Sequence, residues 1–164
     1  RKSTMSTAAP ESTLEQTARE AQALSCISSY AWGNAFCSLI PLPIFDLVAL
    51  TGVQLAMVGK LAKIYDVPFQ KDAVKSIIIS LIGSLSSMTL ATGVVLSVMK
   101  FIPVIGVQAA VVTLPAVAGA TTYAVGKIFI MHFEAGGNVL DFNADAMKVY
   151  FQQYYQEGLK AGKK

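Results

Sequence analysis

The sequence predicts an all-α protein: two tandem helical hairpins made of four long apolar helices, followed by an amphipathic C-terminal helix. Three observations predict this. Uncharged stretches run from Ala21 to Phe45, Leu47 to Gly59, Ser76 to Met99 and Phe101 to Gly126, longer than strands usually are. Proline turns, at Pro41-Leu42-Pro43 and at Phe101 to Gly106, divide them into pairs. Turn residues do not recur at the 8–12 residue spacing of an all-β chain.

The two hairpins are copies of one another. Leu47, Ala49, Gly52, Val58, Gly59 and Lys60 fall on Leu114, Ala116, Gly119, Val125, Gly126 and Lys127 at an offset of 67 residues. Ile40-Pro41 matches Ile102-Pro103 at an offset of 62, and Phe69 to Lys75 (FQKDAVK) matches Phe142 to Lys148 (FNADAMK) at 73. The unit is helix, Pro turn, helix and polar link, longer than the usual solenoid repeats.

The elements follow in order. Residues 1–12 read as a flexible arm. Ser12-Thr13-Leu14-Glu15 has capping-box spacing and starts the first helix near Thr13. The first hairpin covers 13–65, with Asp46 in the first turn of its returning helix, where a carboxylate suits the helix dipole. Pro68 disfavours helical geometry at Val67 and ends the hairpin. The second hairpin occupies 66–133 together with its link, and Pro115 is expected to kink its second helix. Residues 134–164 hold a Gly136-Gly137-Asn138 loop and a last helix from Ala144 to Leu159, capped by Asn143. Its apolar stripe is Met147, Phe151, Tyr154 and Tyr155.

Composition points towards a membrane or an unusually apolar helical core. The chain of 164 residues is 54% hydrophobic and 14% charged, with a mean hydropathy of +0.53; an ordinary soluble domain is about 25% charged. Four candidate spans lie near 22–40, 43–59, 76–99 and 104–126, against about 20 apolar residues needed to cross a bilayer. With both termini and the central link on one side, twelve Lys/Arg fall on that side and Lys100 alone on the other. This positive-inside division places the termini and the central link on the cytoplasmic side of a membrane. The N-terminal RKSTMSTAAPESTLEQ has no early apolar core or cleavage site, so no secretory signal is expected.

Few residues suit chemistry. Cys26 and Cys37 are eleven residues apart, about 16 Å along one helix, and cannot bond to each other there. His132 is the lone histidine and reads as a packed or interfacial residue, with no metal-ligand spacing around it. Neither a G-x-S-x-G elbow nor a P-loop is present, so neither a catalytic residue, a metal site nor a cofactor is expected. The clearest motif is small residues at helical spacing: Ala49, Gly52, Ala56 and Gly59, then Gly83, Ser87 and Ala91, then Ala116, Gly119 and Gly126. Such faces let helix backbones approach closely. Tyr150, Tyr154 and Tyr155 of the last helix are the expected partner-binding residues. A net charge of +3, with lysines interleaved by Asp66, Asp72, Asp141 and Asp145, argues against nucleic acid.

Several stretches carry a family resemblance. They are Ile40 to Leu47 (IPLPIFDL), Gln54 to Val58, Leu61 to Tyr65, Phe101 to Gly106 and Thr121 to Gly126. Together they resemble the bacterial family called domain of unknown function 697, similar to the C-terminal region of YcjF-type membrane proteins. The resemblance spans about Ser25 to Tyr155. It implies an all-helical, membrane-associated domain, often found beside small GTPases, with no catalytic residue to carry over. A GTPase partner would act in trans.

The expected function is therefore a non-enzymatic membrane scaffold that contacts lipid and self-associates or docks a partner. A small channel or carrier with parallel internal repeats is one alternative. A soluble helical subunit of a large assembly is another, and a domain that folds in water and later inserts residues 76–126 is a third.

Overall fold

The computed structural model describes residues 9–37, 45–92 and 115–161. Five helices are described: α1 (Ala9–Cys37), α2 (Phe45–Ile64), α3 (Lys71–Thr92), α4 (residues 115–134) and α5 (Ala144–Ala161). The described residues contain no strand. Helix α1 starts at Ala9, four residues before Thr13, with Pro10 in its first turn, where a missing N–H costs nothing. The turns at 41–43 and 101–106, and Lys100, lie outside the described residues, and the expected kink at Pro115 falls at their edge.

Helix α4 is the centre of the bundle. Ala124, Val125, Ile128 and Phe129 are fully buried, and Ala118, Ala120, Ile130 and Phe133 nearly so. A helix apolar on most sides is one surrounded by others. Against its Gly119 and Gly126 runs α1, through Ala31 and Ile27. Against its Ala120 runs α5, through Gly158. Helix α2 packs on α1 and α3, and α3 packs on α5. Met57, Val58, Leu61, Val74, Ile78 and Leu81 bring α2 and α3 into the same core.

The expectation of four membrane-spanning helices finds no support among the described residues, and the spans near 22–40, 43–59, 76–99 and 104–126 all extend outside them. Among the described residues, no helix is long and apolar enough to cross a membrane. The buried apolar side chains pack on one another, and polar positions interrupt the helices. Helix α1 is exposed from Thr13 to Gln22 and carries Glu15, Arg19 and Glu20 there. Lys60 and Lys63 are exposed on α2, as are Asp72, Lys75 and Ser76 on α3. Absence of charge over a long stretch marks burial equally well in lipid and in a bundle.

The ends of α2 and α4, which fall at matched places in the sequence, are capped alike. At the end of α2, Val67 N–H donates to the Ala62 carbonyl (2.8 Å) and Asp66 N–H to that of Lys63 (3.4 Å), with Asp66 at φ 56°. At the end of α4, Gly137 N–H donates to the His132 carbonyl and Gly136 N–H to that of Phe133, both at 3.0 Å, with Gly136 at φ +81°. Both are Schellman caps, which satisfy terminal carbonyls through one left-handed residue. Glycine takes that conformation without strain, and aspartate is among the few other residues that tolerate it.

After each cap the chain restarts in the same way. Phe69 folds back on α2, its ring 3.7 Å from where a Gly59 Cβ would stand. Phe142 folds back on α4, stacked on Phe129 with centroids 5.0 Å apart. The next helix then begins two residues on, at Lys71 and at Ala144, each with an aspartate in its first turn. Asn143 caps α5 as expected, its Oδ1 accepting the Ala146 N–H at 3.1 Å.

Candidate functional site

The candidate surfaces lie on the faces and ends of this bundle, and the small residues settle into three groups. Gly126 and Gly119 form the contact with α1: a Cβ on Gly126 would lie 2.5 Å from Ile27 Cγ1, and one on Gly119 3.5 Å from the Ala31 carbonyl oxygen. Ala116 is half-buried on the same helix. Gly59 meets Phe69 of its own link. Gly52 and Gly83, by contrast, have open space on their Cβ side, with nothing within 4 Å of where a methyl carbon would sit, and Ala56 is exposed beside Gly52 on α2. The side chains of Ala49, Ser87 and Ala91 lie outside the described residues. A further close approach carries no sign in the sequence, that of Gly158 on α5 to Ala120 Cα, 2.8 Å from the position of a Gly158 Cβ; a lone glycine between Glu157 and Leu159 has no ladder around it.

The three tail tyrosines do not share one environment. Tyr150 is 49% exposed, beside Val149 at 70%. Tyr154 lies under Lys127, whose Nζ is 5.8 Å from the ring centroid. Tyr155 packs against the core, and burial pushes its pKa up. Phe151 is fully buried and sets this register, since residues three and four further along fall towards the same face. Lys60 makes a contact related to that of Lys127, 5.1 Å from the Tyr30 ring of α1. Both lysines of the repeated Gly-Lys pairs thus cover an aromatic ring on a neighbouring helix.

The end of the bundle that holds the two caps is polar. His132 Nε2 lies 2.8 Å from both the Asn138 carbonyl oxygen and Asp141 Oδ1. Both are acceptors, so this nitrogen carries the hydrogen. Asp141 also accepts from the Asn138 backbone N–H (2.8 Å) and side-chain amide (3.0 Å). Its pKa is lowered, chiefly by that backbone N–H and further by His132. The imidazole packs on Phe142, with centroids 4.8 Å apart. This network closes the α4–α5 loop, and no nucleophile takes part in it.

Across the same end, Tyr65 Oη donates to Glu134 Oε1 at 2.9 Å, linking the ends of α2 and α4. Burial raises the Tyr65 pKa, and the Glu134 carboxylate raises it further. With Arg19, Glu20 and Phe133 they line an open cleft of about 430 Å³ beside the first half of α1. Cys26 is half-buried on the continuous helix it shares with Cys37, and burial raises its pKa. Among the described residues, no group of three His, Cys, Asp or Glu is placed to hold a metal ion.

A protein named magnetosome membrane protein 22, from Magnetospirillum gryphiswaldense, is similar to this chain: it is 36% identical over 146 residues, covering 89% of this chain and 75% of that protein. No solved structure matches the chain. A family model, described as domain of unknown function (DUF697), matches residues 3–159. With that match over nearly its whole length, the chain belongs to this family.

Proposed function

We propose that the protein is a non-enzymatic, membrane-associated scaffold of a bacterial inner membrane, with cytoplasmic termini, that self-associates or docks a partner protein. The observation that carries this reading is the 36% identity, over most of the chain, to a protein named for the magnetosome membrane. The charge pattern supports it. The described ends of α2 and α4, and the starts of α3 and α5, hold Lys60, Lys63, Lys71, Lys127 and Lys148. The sequence joining the opposite helix ends, residues 38–44 and 93–114, carries a single charge, Lys100. The bundle supplies a polar body, and these apolar segments supply the affinity for lipid.

Gly52, Ala56 and Gly83 support self-association, because they leave room for another helix backbone. Tyr150 with Val149, and the cleft at Tyr65 and Glu134, offer places for a partner. The family resemblance points to a GTPase acting in trans as that partner. Carbonate extraction of membranes from cells making the protein tests the membrane reading. Retention in the membrane pellet is expected; complete release into the soluble fraction contradicts integral association.

A further inference from the structure

Four polar residues are buried among the described residues: Gln54, Ser84, Thr121 and Thr122. Ser84 donates its hydroxyl to the Leu81 carbonyl at 2.6 Å, and Thr121 to that of Val117 at 2.7 Å. Thr122 is partnered as well. Gln54 differs. It is fully buried on α2, and neither its Nε2 nor its Oε1 has a hydrogen-bond partner among the described residues. The repeat sharpens the contrast, since an offset of 67 places Gln54 on Thr121. One copy of the position carries a hydroxyl short enough to return to its own helix backbone. The other carries a primary amide, with two donors and an acceptor, fully buried and without a partner among the described residues. A buried polar group without a partner loses its water and gains nothing in exchange.

Helix α2 packs on α1 and α3. We propose that Gln54 makes α2 the weak joint of the bundle, so that α2 separates from its neighbours ahead of global unfolding and its amide becomes solvated. The second half of the proposal rests on the membrane reading: a bilayer draws the protein through this opened form, in which the amide meets headgroup and water.

Hydrogen exchange read by mass spectrometry tests it on the full chain, for wild type, Gln54→Leu and a Thr121→Val control, with and without vesicles of phosphatidylethanolamine and phosphatidylglycerol. In wild type without vesicles, the α2 amides around residues 53–62 exchange about tenfold faster, after correction for intrinsic rates, than those of residues 117–131 in α4. Gln54→Leu slows α2 exchange about tenfold and raises Tm, and Thr121→Val does neither. Vesicles speed α2 exchange in wild type, and Gln54→Leu binds them about tenfold more slowly. Equal protection of α2 and α4 overturns the proposal. So does a Gln54→Leu protein with unchanged α2 exchange, as an amide already satisfied by internal water would give, or a Thr121→Val protein that behaves like Gln54→Leu. Opening of α2 in buffer with no response to vesicles leaves the weak joint standing and overturns its link to the bilayer.

Discussion

Gly126 stands directly against Ile27: the position of a Gly126 Cβ is 2.5 Å from Ile27 Cγ1 and 2.7 Å from its Cδ1. This contact sets how closely α1 lies on α4. Ile27 is fully buried, so it has little room to give way. Alanine gains up to about 1 kcal/mol over glycine inside a helix, while overpacking a core costs about 1–3 kcal/mol. Gly126→Ala should therefore lose about 1 kcal/mol in chemical denaturation. Combined with Ile27→Ala, which removes the obstructing atoms, the loss should be clearly less than the sum of the two.

Gly158 makes the corresponding contact between α5 and α4. A Cβ there would meet Ala120 Cα at 2.8 Å and its carbonyl oxygen at 3.3 Å, and backbone cannot rotate away. Gly158→Ala should undock α5, with a loss of about 2 kcal/mol. Proteolysis should then cut in α5 before the rest of the bundle.

The open glycines should behave in the opposite way. Gly52→Ala and Gly83→Ala add a methyl group where nothing lies within 4 Å, so each should stabilise the isolated chain by about 0.5–1 kcal/mol. If these faces receive a second copy, the same changes should weaken self-association in light scattering. A gain in Tm with unchanged association would place the self-contact elsewhere.

The loop network gives a pH dependence with a defined sign. The Asp141 pKa is lowered in the folded protein, so its contribution is present above the ordinary carboxylate range and is lost as pH falls through the folded value. Tm should fall as pH drops from about 5 towards 3, the region around and below a free aspartate's pKa of about 3.9. Asp141→Asn should flatten that part of the curve. Asp141 is exposed, so the effect should be small and screened by salt.

Much of the fold is legible in the sequence because helix ends leave chemical marks. Asn143, Pro68, Gly136 and the repeated Phe-x-x-Asp-Ala mark the links, and the structure puts helix boundaries beside each. Facing is harder to read. Gly52 and Gly119 occupy equivalent repeat positions, yet one is open and the other meets Ala31. The difference arises because α4 has α1 along it while, among the described residues, that face of α2 is outermost, which no local pattern records. Tyr154 and Tyr155 read as a partner surface from their polarity, but an aromatic body with a polar tip also suits a half-buried position. Long uncharged runs suggest spans because a bundle core and a bilayer select the same residues.

Membrane association is the central claim, and flotation of the purified protein with vesicles of phosphatidylethanolamine and phosphatidylglycerol measures it most directly. The protein should rise with the vesicles and stay with them in high salt, because apolar segments rather than lysines alone hold it there. Protein that remains at the bottom of the gradient at low and high salt alike would contradict the account.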